Sequence, residues 1–291
     1  MTRRRALTLA AGFACAPRVS RAAERWTGTA LGADVSVSLD GPEATVREGL
    51  ARVPQLLAEV ERTFSLYLPE SELSRLNASG RLDAPSAMMW DVIAQVDRVH
   101  EITGGLFDPT VQPLWRALAF SGDPDAARPL IGWDRVETGA GIVLDAGQAL
   151  TLNGIVLGYA TDLVWGALRE LGAERALISL GEQAALGGPY RLPIEDPAAG
   201  TVGWRSLRDS AVATSAPAAL LLDEGQGHIL APDGSPPIWS SVSIEAESAT
   251  MADAISTVAV FLGFSELQEL MAVARLGRIT LVGPDGQVHG L

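Results

Sequence analysis

Val35, Val37 and Leu39 alternate with polar residues, the period of a strand with one face buried. Over 43–62 the period changes: Val46, Leu50, Val53, Leu57 and Val60 recur every three or four residues, a helical stripe that Pro54 is expected to kink or break. A loop over 64–70 leads to Ser71, a cap for a short helix through Asn77 that Asn-Ala-Ser-Gly ends. Pro85 suits a helix start, and Met88, Val92, Ile93, Val96 and Val99 carry a buried face to Thr103, where Gly104 and Gly105 stop it. Segments 142–144 and 149–152 read as strands, 155–171 as a helix between Asn153-Gly154 and Gly172, and 176–180 as a strand closed by Gly181. Shorter strands are expected near 190–194, 211–214 and 242–246, then helices over 250–262 and 265–275 and a last strand over 278–282. No regular strand–helix–strand beat and no internal repeat organises them; 197–203 is the most linker-like stretch, too short to separate domains. The pattern predicts one α+β domain over 23–291, with a mainly antiparallel sheet and packed helices.

The first 22 residues stand apart from this pattern. Arg3, Arg4 and Arg5 precede an apolar run of about eleven residues and then small residues around Ser20 and Ala22, the layout of a signal peptide. The paired arginines favour twin-arginine export to the periplasm, while Cys15 in the apolar run leaves lipid anchoring as an alternative. Composition then removes whole chemistries. The 291 residues include no lysine, so neither a Schiff base nor a P-loop is available. Cys15 is the only cysteine, so a cleaved chain has no thiol nucleophile and no disulfide. The leader carries five of the 22 arginines and no acid; without it, 17 arginines face 35 acids, a net charge of about −18. Nucleic acid and anionic membrane surfaces are poor partners for such a chain.

His100, His228 and His289 are far apart and outside any His-Glu-x-x-His helix, and neither a Gly-x-Ser-x-Gly elbow nor a Gly-x-Gly-x-x-Gly turn occurs. What remains is a set of polar residues beside glycines at element ends, where free backbone groups can hold phosphates or hard cations. Thr103-Gly-Gly-Leu-Phe-Asp108 offers close backbone approach, a stacking face and an acceptor, or simply a helix stop and turn. Leu152-Asn-Gly-Ile-Val-Leu-Gly-Tyr159 joins a strand to a helix whose N-terminus can receive a phosphate, or packs tightly through Gly154 and Gly158. Asp253 and Thr257, four apart on a helix, face the same way; the pair suits Mg²⁺, or a capping Asp with a back-bonded Thr. His228, after a Gly-Gln-Gly segment, is a base near neutral pH or an ordinary structural histidine.

Taken in order, these segments resemble the FAD:protein FMN transferase (ApbE) family from about residue 28 to 263. The resemblance rests on Gly28-Thr-Ala-Leu31-Gly, Phe64-Ser-Leu-Tyr67, Ser71-Glu-Leu-Ser-Arg-Leu-Asn77 and Thr103-Gly-Gly-Leu-Phe-Asp-Pro-Thr110. It continues through Gly158-Tyr-Ala-Thr-Asp162, Ala213-Thr-Ser215, His228-Ile229 and Ala252-Asp-Ala-Ile-Ser-Thr257. It implies a T-fold-related α+β architecture and an exported enzyme that cleaves FAD with Mg²⁺. FMN would pass to a Thr or Ser hydroxyl of a redox partner bearing a Ser/Thr-Gly-Ala-Thr-like motif, with AMP released. Carried over residue by residue, the resemblance makes Asp253, Thr257 and the Gly154 carbonyl metal ligands. Leu31, Tyr67, Leu106, Phe107, Asp108, Thr151, Leu157, Ile229 and Ser256 would line the FAD site, and His228 would activate the acceptor hydroxyl.

The chain departs from the family pattern at four places. Thr151 stands for an aspartate, Leu157 for a lysine, Leu180-Gly-Glu182-Gln183 for Leu-Gly-Gly-Asp, and Ala216 for the glycine usual after Thr-Ser. The metal pair Asp253 and Thr257 and His228 are retained, which predicts an active transferase, with weaker FAD affinity from the departures. The alternatives are an exported FAD carrier without transferase activity and an FAD pyrophosphatase that uses water as acceptor.

Overall fold

The computed structural model describes residues 23–222 and 225–291, so the leader with its arginines and Cys15 lies outside the described residues. A hairpin of β1 (Glu24–Ala30) and β2 (Ala33–Asp40) leads into α1 (Glu43–Phe64) and α2 (Glu72–Ser79). Next come β3 (Arg81–Leu82), α3 (Ala87–Ile102), α4 (Gln112–Ala119), α5 (Pro124–Ala127), β4 (Glu137–Thr138) and β5 (Ile142–Val143). Then follow α6 (Val156–Glu170), β6 (Arg175–Ser179), β7 (Gln183–Leu186), β8 (Tyr190–Asp196), β9 (Gly200–Leu207), β10 (Ser210–Ser215) and β11 (Ser241–Ala246). The chain ends with α7 (Ala249–Ala259), α8 (Phe264–Ala274), β12 (Leu276–Val282) and β13 (Val288–Gly290).

Eight strands form one sheet in the order β1-β2-β6-β7-β10-β11-β12-β13, and every neighbouring pair is antiparallel. The alternation seen in β2 puts Val35, Val37 and Leu39 into the core against the helices, with Val37 and Leu39 fully buried. The stripe of α1 behaves likewise: Val46, Val53, Leu57 and Val60 are buried and Leu50 is half-buried. Pro54 does not break α1, which runs continuously over 22 residues. Pro54 lies on the exposed face, where its ring meets solvent and not packed neighbours. The opposite face of the sheet is covered by the β8–β9 hairpin, through Tyr190, Leu192 and Leu207 against Leu177, Ala185 and Val212.

Two expectations are corrected. The linker-like 197–203 is the tip of that hairpin plus the start of β9, closed by Asp196 accepting from the Ala198 and Ala199 N–H groups. The expected strand over 149–152 is extended but unpaired in any sheet, because a side chain replaces the ladder. The Asn77 amide accepts from the Leu150 N–H at 2.7 Å and donates to its carbonyl at 2.8 Å, while the Thr151 N–H bonds the Pro109 carbonyl. Ser71 caps α2 by accepting from the Ser74 N–H, as its position implies, and Gly80 ends the helix in the left-handed region. No described helix is long and apolar enough to cross a membrane.

Candidate active site

Helices α6 and α7 lie antiparallel, and two glycines set how close they come. A Cβ on Gly154, just before α6, would sit 2.9 Å from Thr257 Oγ1. One turn on, a Cβ on Gly158 would lie 2.3 Å from the Ala249 carbonyl oxygen and 2.8 Å from Asp253 Cβ. Another turn on, Asp162 accepts from the Ala249 and Thr250 N–H groups and from the Ser248 and Thr250 hydroxyls, which pins the N-terminus of α7 to α6. The register so fixed places Gly154, Thr257 and Asp253 side by side.

Asp253 is 4% exposed and accepts from the Gly158 N–H at 2.9 Å through Oδ2; Oδ1 has no partner among the described residues. Thr257 donates to the Asp253 carbonyl at 3.2 Å, which commits the hydroxyl proton and leaves lone pairs for a ligand. Ser256 is fully buried, its hydroxyl donating to the same carbonyl at 3.0 Å and bonded to Ser215 Oγ at 2.8 Å. Burial pushes the Asp253 carboxyl up to about 7; the Gly158 N–H opposes the shift, and the charge of Asp162 adds to it. The folded protein therefore holds this proton from the unfolded value near 3.8 up to about 7, and the group's contribution to stability falls across that window as pH rises. Thermal melts in EDTA at pH 5 and pH 7.5 should show it: the fall in Tm with pH is smaller in Asp253→Asn than in the unchanged protein.

The segment 213–217 ties the remaining polar groups to this cluster. The Thr214 N–H donates to Glu182 Oε2 at 3.2 Å, Ser215 reaches Ser256, and the Pro217 carbonyl accepts from His228 Nδ1 at 3.0 Å. A carbonyl can only accept, so Nδ1 carries the proton and Nε2 is left with a lone pair in the neutral ring. Burial holds the imidazole below its usual range, so His228 is neutral and basic at pH 7. Sequence reasoning marks Glu182 only as a departure and misses it as a site residue; an acid between Gly181 and a strand is the available signal. It is 8% exposed, and its carboxyl is raised well above the usual range by burial and then by the charge of Asp253.

The other expected FAD residues fall into separate groups. Leu31 sits at the tip of the β1–β2 hairpin at a φ of +52°, its N–H held by Glu61 near the end of α1, and the 63% exposed Tyr67 follows that helix. Leu106 is half-buried and Phe107 buried, with the Phe107 carbonyl 2.8 Å from His100 Nδ1. The Asp108 carboxylate is occupied inside the protein by the Thr110 N–H and hydroxyl and the Trp133 N–H. Thr151 lies beside this group through Pro109. Leu157 packs on Gly181, where a Cβ would be 2.8 Å from its Cδ1, and Ile229 packs half-buried on the core. A groove of about 650 Å³ lies at the far end of the α6–α7 pair, between Tyr159, Asp162 and Thr250, and none of the expected site residues lines it. Among the described residues, no three His, Cys, Asp or Glu side chains gather around one point. A cation here would be held by few carboxylates together with hydroxyl and backbone oxygen.

The fold and site together define a class: a single α+β domain in which Gly154, Thr257 and Asp253 are brought together where α6 begins beside the last turns of α7. The chain belongs to the ApbE family, whose model matches residues 31–280. It is similar to the FAD:protein FMN transferase of Vibrio cholerae serotype O1, 28% identical over 265 residues that span 79% of this chain and 77% of that one. Among solved structures, the apo Pseudomonas stutzeri flavinyl transferase ApbE superposes with a TM-score of 0.77 at 26% identity, covering 92% of this chain and 94% of that one. The Thermotoga maritima ApbE protein gives a TM-score of 0.82 at 22% identity over 92% and 96%, a likeness of fold.

Proposed function

We propose that the protein is an FAD:protein FMN transferase that moves FMN from FAD to a Thr or Ser hydroxyl of an exported or membrane redox protein. The observation that carries this reading is the juxtaposition of Asp253, Thr257 and Gly154 within a chain of this family. An uncommitted carboxylate oxygen, hydroxyl lone pairs and a backbone carbonyl are the donors a hard cation takes, so the residues fit Mg²⁺. When bound, Mg²⁺ would offset charge on the FAD pyrophosphate.

In the reaction, the acceptor hydroxyl oxygen bonds to the FMN-side phosphorus. The bond from that phosphorus to the bridging oxygen breaks, and AMP departs with the bridging oxygen and its electron pair. His228 Nε2 takes the hydroxyl proton, with Nδ1 held on Pro217 so that the ring cannot turn away. Leu157 supplies apolar contact on Gly181 where a cationic side chain would reach phosphate, consistent with weaker FAD affinity. His228→Gln should lower kcat by about a hundredfold with little change in the KM for FAD. Since burial lowers the histidine's pKa, the acid limb of the unchanged enzyme's pH–rate profile should fall below the ordinary imidazole value and vanish in the variant.

The leader reading places the enzyme in the periplasm by twin-arginine export, with lipidation at Cys15 as the alternative anchor, and the acceptor in the same compartment. The deciding experiment incubates purified protein with FAD, Mg²⁺ and an acceptor domain bearing a Ser/Thr-Gly-Ala-Thr-like motif. AMP release with an acceptor heavier by one FMN unit, both lost in EDTA, supports the transferase. Free FMN with an unmodified acceptor indicates FAD pyrophosphatase, and intact bound FAD a carrier.

A further inference from the structure

Glu182 and Asp253 come from unrelated regions of the chain, the β6–β7 turn and the middle of α7, and both are more than nine-tenths buried. They make the same kind of commitment. Each uses one carboxylate oxygen to accept a single backbone N–H: Oε2 of Glu182 from Thr214, Oδ2 of Asp253 from Gly158. Each leaves its other oxygen without a partner, and neither oxygen is fully sealed from solvent. Among the described residues no arginine or histidine forms an ion pair with either carboxylate, and the chain has no lysine to do so. Two buried carboxylates of like charge, lacking a cationic side chain, either retain a proton or take up a cation that offsets both charges.

The Thr214 N–H explains why Glu182 stays in place without a metal. Strand β7 pairs with β10 only through Val212, so the Thr214 N–H lies beyond the last ladder bond and the Glu182 carboxylate takes it. The same peptide segment continues through Ser215 to Ser256 on α7, which ties the carboxylate of Glu182 to the helix that carries Asp253 and Thr257.

We infer that Glu182 is the second carboxylate of the divalent-cation site, joining Asp253, Thr257 and the Gly154 carbonyl. This rests on the proposed cation site and extends it: the ligand set carries two formal negative charges, not one. More ligand charge tightens the hold on a hard cation. The shift of an acid from position 183 to 182 then changes how the chain binds its metal, and the site suits Mn²⁺ as well as Mg²⁺.

The test needs neither FAD nor turnover. Mg²⁺ and, separately, Mn²⁺ are titrated into the purified protein and into Glu182→Gln and Asp253→Asn, by calorimetry and by thermal melts with and without the ion. Glutamine keeps an acceptor for the Thr214 N–H and removes the charge. Glu182→Gln should weaken both ions at least about tenfold while its metal-free Tm stays level or rises. In the unchanged protein, Mn²⁺ should broaden the ¹³Cδ resonance of Glu182 beyond recognition, a reading that holds even if the variant does not fold. An unchanged ion affinity in Glu182→Gln, or a Glu182 resonance untouched by saturating Mn²⁺, overturns the inference and leaves Glu182 as a cap on Thr214. If the unchanged protein binds neither ion, the cation reading itself fails; if Asp253→Asn loses the ion and Glu182→Gln does not, only this inference does.

Discussion

On the proposed reaction, Asp253→Ala is expected to eliminate FMN transfer, with AMP release falling at least about a thousandfold, the loss that removing several kcal/mol of charge stabilisation at the reacting phosphorus would bring. Asp253 joins several roles at the α6–α7 junction. Its carboxylate accepts from Gly158 at the α6 junction, its carbonyl receives both the Ser256 and Thr257 hydroxyls, and its second oxygen is uncommitted. Asp253→Asn separates these functions, because the amide oxygen can still take the Gly158 N–H while the charge is gone. We expect Asn to be as inactive as Ala yet to melt, without metal, at or above the temperature of the unchanged protein, since a buried charge costs stability. Nucleotide chromatography for AMP, mass measurement of the acceptor and melts in EDTA check the three outcomes. If Asp253→Asn kept more than a tenth of the rate, the charge at this position would not be the feature the reaction needs.

How far the sequence reaches this site depends on whether the needed relation is local. Asp253 and Thr257 are one helical turn apart, so spacing alone places them on one face, while Gly154 and Gly158 mark only where a helix starts. Their meeting across α6 and α7 is not local, and only the ordered likeness to a family suggests it. Glu182 shows the opposite case. Its neighbours Gly181 and Gln183 say only that a turn meets a strand, and its role depends on Thr214, thirty-two residues away, and on α7 beyond that. His228 can be chosen as a base by residue type, whereas its tautomer follows only from the Pro217 carbonyl.

The fold divides along the same line. Elements with β-branched alternation or a wide apolar stripe, such as β2, α1 and α3, are legible. Strand β7, Gln183-Ala-Ala-Leu186, has no β-branched residue, and its pairing with β6 and β10 makes it a strand where its own propensity does not. Segment 149–152 has the composition of a strand and loses its ladder to the Asn77 amide. Competition of that kind between a side chain and a partner strand leaves no periodic trace.

Gly158→Ala should be strongly damaging to both the fold and the site. The added Cβ would lie 2.3 Å from the Ala249 carbonyl oxygen, 2.7 Å from its carbon and 2.8 Å from Asp253 Cβ. Two of these three atoms belong to the backbone, so no rotamer change relieves the overlap, and α6 must move off α7. That motion is opposed one turn away by the four bonds that Asp162 makes to the start of α7. We expect a loss of at least about 3 kcal/mol, read as a drop in Tm of about 6–12 °C. Activity should fall with it even at temperatures where the variant is folded, since separating the helices draws Asp253 away from the Gly158 N–H and Thr257 away from Gly154. Gly166, two turns further along α6, provides the control: it is exposed, and a Cβ there meets nothing within 4 Å. Gly166→Ala should instead raise stability by about 0.5–1 kcal/mol through helix propensity, leaving turnover unchanged. If both alanines behaved alike, close packing of α6 on α7 would not be what assembles the site.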